Sequence, residues 1–178
     1  LPEEVLRKIY SSPIPYDGPL SSEQTEYIGK PWQVFWHENC YMAVDCLGIC
    51  KYHTTFLGAT LPNFEDWSKV LYYNTGLQMT PEEIWMVARR CNMIERLFNL
   101  REGLTRDDLK KGDMLNHRYF DEPCRRGAVD VIGVKIDKEK FMRMVDELYE
   151  HKGLDKDGAP KPETLKELGL ANEPSHLI

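Results

Sequence analysis

The sequence of 178 residues lacks a long apolar run, and no stretch has the pattern of a signal peptide. We therefore expect no membrane span and a cytoplasmic location. Basic residues are the minority, with 23 Lys and Arg against 29 Asp and Glu, for a net charge of −6. That balance argues against a general nucleic-acid binder, which would present a basic face. Internal repeats are also absent, and the length predicts one domain large enough to bury a core.

The cysteines lack the spacing of a self-contained metal site. Their number is odd, at five, which does not fit the disulfide framework of a small secreted domain. Cys40, Cys46 and Cys50 follow the pattern C-x5-C-x3-C. Structural zinc sites favour pairs two to four residues apart, and iron–sulfur clusters take several ligands from a tight run. Cys91 and Cys124 are single and distant, so the residues alone favour small buried side chains, above all for Cys40 and Cys91.

Hydrophobic periodicity predicts a mainly α fold, an irregular multi-helix domain with at most a short β-hairpin. The predicted helices are "LPEEVLRKIY", "QVFWHENCYMAVDCLG", "NFEDWSKVLYYNTG", "TPEEIWMVARRCNMIERLFNLREG", "DKEKFMRMVDELYEHKG" and "PETLKELG". Asn63, Thr80 and Asp137 are the expected N-caps. The stretch "AVDVIGVKI" is typical of a small hairpin or an extended edge.

The longest predicted helix carries an apolar stripe at helical spacing. Its members are Ile84, Val87, Ala88, Cys91, Ile94 (or Met93), Leu97 and Phe98. The charged and polar residues near its end, in "ERLFNLREG", predict a buried polar network that fixes helix packing. That network would comprise Glu95, Arg96, Asn99, Arg101 and Glu102.

Residues 11–22 are rich in Pro, Gly and Ser, which predicts a loop or tether. We therefore assign residues 1–22 to the tail of a preceding region and residues 23–178 to the helical domain. The chain begins with Leu1 rather than Met, which is expected of a fragment or a processed product and equally of a chain whose first residues are not included.

Three residues in "DCLGIC" have side chains or backbone suited to a site. Asp45 lies in an apolar run, where a carboxylate needs hydrogen-bond partners. It can accept N–H donors from a heterocycle with an amino group, or cap the backbone of its own helix. Gly48 allows the chain to turn close to a ligand. Cys50 follows that turn, where a thiolate is more accessible than inside a helix.

The stretch "DCLGIC" (45–50) resembles the D-x-x-G-[LI]-C signature of the aldehyde:ferredoxin oxidoreductase family. Residues 74–108 are similar to the family's ER-x-x-N-x-REG-x-x-R-x-DD stretch with its preceding helix, and residues 149–170 to its closing segment. The order of these motifs and the spacing between them agree with the family pattern from about residue 32 to residue 170. The chain is therefore identified as similar to the C-terminal helical domain of this family.

The resemblance implies an oxidoreductase that holds tungsten, or molybdenum, with two pterins and a 4Fe-4S cluster. It implies that Asp45 hydrogen-bonds the ring nitrogens of one pterin and that Leu47, Gly48 and Ile49 line this pterin. Cys50 would be the fourth ligand of the iron–sulfur cluster, whose other cysteines lie in a preceding domain. No catalytic residue is assigned.

The family interconverts aldehydes and carboxylic acids with ferredoxin as electron acceptor. The implied partners are the remaining domains of the same polypeptide, ferredoxin and a small aldehyde or acid, and the fragment alone is expected to be inactive.

Two alternatives stay open. A branch that reduces aromatic acyl thioesters shares the architecture, and the segment "DDLKKGDMLNHRYF" and the "GLD" in place of "GWD" depart from the aldehyde pattern. The chain could also be a helical subunit that binds partner chains without redox chemistry.

Among the histidines, His37 and His53 are interpreted as structural, and no role is carried to His117. The "DKDG" segment is interpreted as a turn.

Overall fold

The computed structural model describes residues 1–53, 63–107, 112–127 and 129–171, with the backbone alone for His53 and Asp130. The described residues form seven α-helices and no sheet. In chain order they are α1 (Glu3–Tyr10), α2 (Lys30–Leu47), α3 (Phe64–Thr75), α4 (Pro81–Arg101), α5 (Arg118–Asp121), α6 (Lys138–Lys152) and α7 (Pro162–Glu167). The mainly α prediction is confirmed. In this part of the chain, no helix has the length and apolar composition needed to cross a membrane.

Helix α2 is the centre of the fold, because it packs against both α4 and α6. Its sequence is apolar on more than one side, as the prediction required, and it begins with a proline in its first turn. Its buried residues are Pro31, Trp32, Phe35, Trp36, Asn39, Cys40, Ala43 and Val44. These side chains join Phe64 and Trp67 of α3 and Ile84, Trp85 and Ala88 of α4 in the larger of two apolar cores.

The predicted capping residues are found at the N-termini of α3, α4 and α6. The side chain of Asn63 accepts from the backbone N–H groups of Glu65 and Asp66, and Thr80 forms a capping box with Glu83. Asp137 accepts from the backbone N–H of Lys140. Each cap satisfies donors that the first turn of a helix leaves unpaired.

The buried face of α4 differs from the predicted stripe. Ile94 and Phe98 are exposed, whereas Met93, Leu97 and Arg96 are buried. The first half of α4 packs on α2, and its second half joins a separate core with α6 and the closing segment. Its buried face therefore shifts along the helix, which a single repeating stripe does not describe. This second core consists of Met93, Leu97, Val145, Tyr149, Leu154, Leu168 and Leu170.

Residues 1–22 lie against α2 in this structure. The indole N–H groups of Trp32 and Trp36 donate to the carbonyls of Tyr10 and Ser12, each at 2.7 Å. The ring of Tyr16 stacks on Trp32 with centroids 4.2 Å apart. The division at residue 22 stays a prediction, but the segment contributes partners to buried tryptophan N–H groups.

The predicted hairpin or edge at "AVDVIGVKI" is not a strand in the described residues. Val129–Val131 form a 3₁₀ turn, and Gly133 turns the chain back with a φ of +85°. The backbone of Cys124 pairs with this segment, since its N–H donates to Val134 O and its carbonyl accepts from Gly133 N–H, and Ile136 N–H donates to Tyr119 O. The "DKDG" prediction is confirmed, since Asp155 Oδ1 accepts from two backbone N–H groups in a turn.

Candidate functional site

The C-terminal turn of α2 ends in a Schellman motif that accounts for the spacing of "DCLGIC". Gly48 is left-handed, with a φ of +69°, and its N–H donates to Asp45 O at 3.2 Å. The N–H of Ile49 donates to Val44 O at 2.9 Å. In this motif an apolar residue after the glycine packs back on the last turns, and Ile49 does contact the larger core. Cys50 is the first residue beyond that anchor, and it is exposed.

Asp45 presents its carboxylate at the surface of this turn. Its side chain is 51% exposed, and Lys51 Nζ lies 2.8 Å from Asp45 Oδ2. A carboxylate in the last turn of a helix faces the negative end of the helix dipole, and α2 has no basic residue in that turn. Lys51 therefore supplies the compensating charge, and the hydrogen bond to Asp45 raises the pKa of Lys51. Neither partner proposed from the sequence, a heterocycle or the helix backbone, is needed to satisfy Asp45 here.

Gly48 leaves open space beside the turn. Among the described residues, a Cβ atom built at this position meets no atom within 4 Å beyond its own helix and its chain neighbours. The glycine is thus required by its left-handed backbone rather than by a crowded neighbour, and the adjacent space is available to a ligand. Leu47 and Ile49, its two neighbours in the predicted pterin lining, are half-buried.

Cys50 carries a free, exposed thiol, whereas Cys40 is completely buried. The packing prediction is therefore confirmed for Cys40. Within the described residues, no group of three or more His, Cys, Asp or Glu side chains is arranged to hold a metal ion. This donor set fits a cluster only as one ligand among several, because a cubane cluster takes four cysteines. A single thiol at the surface, just past a rigid turn, is suited to that contribution.

Cys46 does not act as buried packing, which corrects the sequence interpretation. It is exposed on the last turn of α2, and its Sγ lies 3.8 Å from the Sγ of Cys91 on α4. Although the residue is exposed, desolvation of its sulfur beside Cys91 raises the pKa of Cys46 to about 11, with added contributions from the Cys91 thiol and the Asp45 and Glu95 carboxylates. Sequence reasoning missed this pair because the two cysteines are far apart in the chain.

The polar network near the end of α4 has different members from those predicted. Only Arg96 is buried, while Glu95, Asn99, Arg101 and Glu102 are exposed. Arg96 reaches partners outside its own helix. Its Nη1 lies 2.8 Å from Asp113 Oδ2, and its Nε donates to Gly158 O at 2.9 Å.

The hydroxyl of Tyr149 completes this network. It donates to Asp113 and accepts from Arg96, and burial together with the Asp113 contact raises the pKa of Tyr149 to about 12. Arg96, Asp113, Tyr149 and Gly158 thereby join α4, α6 and the loops before α5 and α7. Their role in this structure is to hold the helices in place.

Of the histidines weighed from the sequence, His37 has a structural environment. His37 Nε2 is hydrogen-bonded to the hydroxyl of Tyr10 at 2.9 Å, and its ring is edge-on to Trp36. Burial lowers the pKa of His37, which favours the neutral imidazole. The structural interpretation of His37 is thus confirmed. His117 is exposed before α5, and the side chain of His53 lies outside the described residues.

Comparison with known proteins points to one family. The family model described as "Aldehyde ferredoxin oxidoreductase, domains 2 & 3" matches residues 6–170. The tungsten-containing aldehyde ferredoxin oxidoreductase of Pyrococcus furiosus is 33% identical over 128 residues, which are 72% of this chain and 19% of that protein. The enzyme of the same name from Pyrococcus horikoshii is 34% identical over 127 residues, covering 71% and 19%. The chain thus spans about a fifth of the length of these relatives.

One solved structure is also similar. It is described as the active site complex BamBC of benzoyl coenzyme A reductase in complex with 1,5-dienoyl-CoA. The match has a TM-score of 0.58 at 26% identity and covers 78% of this chain and 18% of that chain.

Proposed function

Because this chain belongs to the aldehyde ferredoxin oxidoreductase family, we propose that it acts as the C-terminal helical domain of a tungsten (or molybdenum) bis-pterin, iron–sulfur oxidoreductase. The proposed reaction interconverts aldehydes and carboxylic acids with ferredoxin as the electron acceptor. The observation that carries the proposal is the turn at the end of α2. This turn brings an exposed carboxylate, an open glycine and an exposed thiol together within six residues, 45–50.

The residues of this chain would hold the groups rather than perform the redox chemistry. The Asp45 carboxylate would accept N–H donors from a pterin, which would replace its contact with Lys51. Gly48 and its neighbours would lie along the pterin, because no atom of the described residues outside the turn fills the space beside the glycine. Cys50 would lose its proton and ligate an iron of the cluster. When bound, the metal pterin supplies two-electron chemistry and the cluster passes electrons singly.

The remainder of the site would come from other domains of the same polypeptide. The relatives are about five times as long as the matched region, and one cysteine cannot ligate a cluster alone. The isolated chain is therefore expected to bind neither tungsten nor iron stoichiometrically and to have no activity.

The similarity to the benzoyl coenzyme A reductase complex supports a second candidate, reduction of an aromatic acyl thioester on the same architecture. Purification of the full-length gene product, followed by analysis of tungsten, molybdenum and iron, tests the shared part of both candidates. Reduction of viologen by a panel of aldehydes would favour the first candidate, and turnover of an aromatic acyl thioester would favour the second. A full-length product without tungsten, molybdenum or iron would contradict both.

Gly48 and Gly76 provide a matched test of the pterin lining. Both follow a helix with a left-handed φ, +69° and +75°, and in the part of the chain that the structure describes neither Cβ position meets an atom within 4 Å outside its own turn. Gly48→Ala and Gly76→Ala should each cost about 1 kcal/mol of stability, since a left-handed backbone disfavours a side chain. Only Gly48→Ala should lower the pterin and tungsten content of the full-length protein, because its methyl group enters the space proposed for the pterin. Equal cofactor contents in the two variants would remove Gly48 from the site.

A further inference from the structure

We propose that Cys46 and Cys91 form a reversible disulfide that joins the last turn of α2 to the middle of α4. The two sulfur atoms are already neighbours, 3.8 Å apart, although the residues lie on different helices. The disulfide does not depend on the proposed oxidoreductase function, because it requires only the thiols of this chain.

The distance to be closed is small. A disulfide has an S–S length of about 2.05 Å, so the sulfur atoms must approach by roughly 1.8 Å in total. Cys46 is in the last turn of its helix, where the backbone is followed by a turn rather than by further helix. Adjustment of two side chains and one helix end can therefore supply the movement.

The Cys46–Cys91 contact is the observation that selects this pair among the five cysteines. All five cysteines are among the described residues, and every one is a free thiol. Cys40 is completely buried, and the thiol of Cys124 donates to the carbonyl of Arg126 at 3.0 Å. Cys50 is exposed, but no thiol contact is recorded for it among the described residues. The geometry thus selects Cys46 and Cys91.

The two thiols differ in solvent exposure, so we assign them to different steps when a peroxide oxidises the pair. Cys46 is exposed and Cys91 is half-buried, so a peroxide reaches Cys46 first, although the raised pKa of its thiol slows this step. The Cys46 sulfur becomes a sulfenic acid, and the peroxide is reduced to water. The half-buried thiol of Cys91 then attacks the Cys46 sulfur, and a second water leaves. The two thiols lose two electrons in total, which reduce one peroxide to two waters. A dithiol reductant returns both thiols.

The disulfide would act on the same turn that carries the candidate site. Cys46 directly follows Asp45 and lies four residues before Cys50. A bond from Cys46 to α4 would fix the end of α2 relative to the longest helix of the fold. We therefore expect the oxidised form to be more resistant to unfolding than the reduced form.

The experiment treats the full-length protein, purified without oxygen, with hydrogen peroxide and maps its peptides without reduction. We expect a peptide pair linked through Cys46 and Cys91, its loss after dithiothreitol, and a melting temperature about 2–4 °C higher in the oxidised full-length protein. Cys124→Ser, which changes a half-buried thiol outside the pair, should leave the linked peptides unchanged.

Two variants separate the proposed steps. Cys46→Ser should abolish the linked peptides, whereas Cys91→Ser should leave a sulfenic acid on Cys46 that dimedone traps. Recovery of Cys46 and Cys91 as unmodified or singly oxidised peptides in the unsubstituted protein would overturn the proposal. A disulfide from Cys46 to Cys50 instead would overturn it as well.

Discussion

Cys50→Ser is expected to reduce the iron content of the full-length protein to less than about half, because a serine hydroxyl is a poor replacement for a cluster thiolate. In this chain Cys50 is the exposed thiol that directly follows the anchored turn, and the described residues offer no alternative set of three ligands. Iron and acid-labile sulfide per polypeptide, measured on protein purified without oxygen, give the result directly.

The control for this prediction is Cys46→Ser, four residues earlier on the same turn. Cys46 is also exposed, but its thiol contacts that of Cys91, and the resemblance assigns the ligand position to Cys50 instead. We expect Cys46→Ser to retain the iron of the unsubstituted protein. If both variants keep their iron, Cys50 is not a ligand. If both lose it, the turn itself rather than one thiol controls cluster incorporation.

Local signals predicted most of the helices. Asn63, Thr80 and Asp137 were expected to cap α3, α4 and α6, and each does so with its side chain. Such caps depend on residues within one turn of the helix end, and that information is contiguous in the sequence. The end of α2 at Gly48 was predictable for the same reason, because a Schellman motif involves only the last turn and the two residues after it.

Contacts between distant segments could not be predicted in this way. Arg96 is buried because Asp113, Tyr149 and Gly158 come to it from three other segments. The exposed side of α4 at Ile94 and Phe98 likewise reflects a change of packing partner along the helix. A repeating apolar stripe in the sequence indicates one buried face of a helix. It does not reveal that the two halves of the helix pack against different neighbours.

In the candidate site too, some features follow from the local sequence and others depend on contacts between distant segments. The order of Asp45, Gly48 and Cys50 is a local pattern, and the structure places all three on the surface of one turn. The ion pair with Lys51 and the thiol contact of Cys46 with Cys91 depend on how the chain continues and on helix packing. Because the relatives are about five times as long as the matched region, the groups facing this turn would come from chain outside it.

Arg96→Met is expected to lower the free energy of unfolding by about 3 kcal/mol, because it leaves the Asp113 carboxylate and the Gly158 carbonyl without their partner. The side chain of Arg96 is 9% exposed and that of Asp113 is 33% exposed, so water replaces the lost contacts only in part. Methionine keeps an unbranched apolar stem, which limits the cavity that the substitution creates. Urea denaturation followed by circular dichroism measures the difference.

The matched control is Arg101→Met on the same helix, where the ion pair with Glu102 is at the surface. Exposed pairs contribute about 0–1 kcal/mol, so this variant should unfold close to the unsubstituted chain. Asp113→Asn and the double substitution with Arg96→Met complete a cycle, and its coupling energy isolates the contribution of the pair from lost packing. If Arg96→Met is no more destabilising than Arg101→Met, the helices are held by their apolar cores alone, and the Arg96 network contributes nothing to stability.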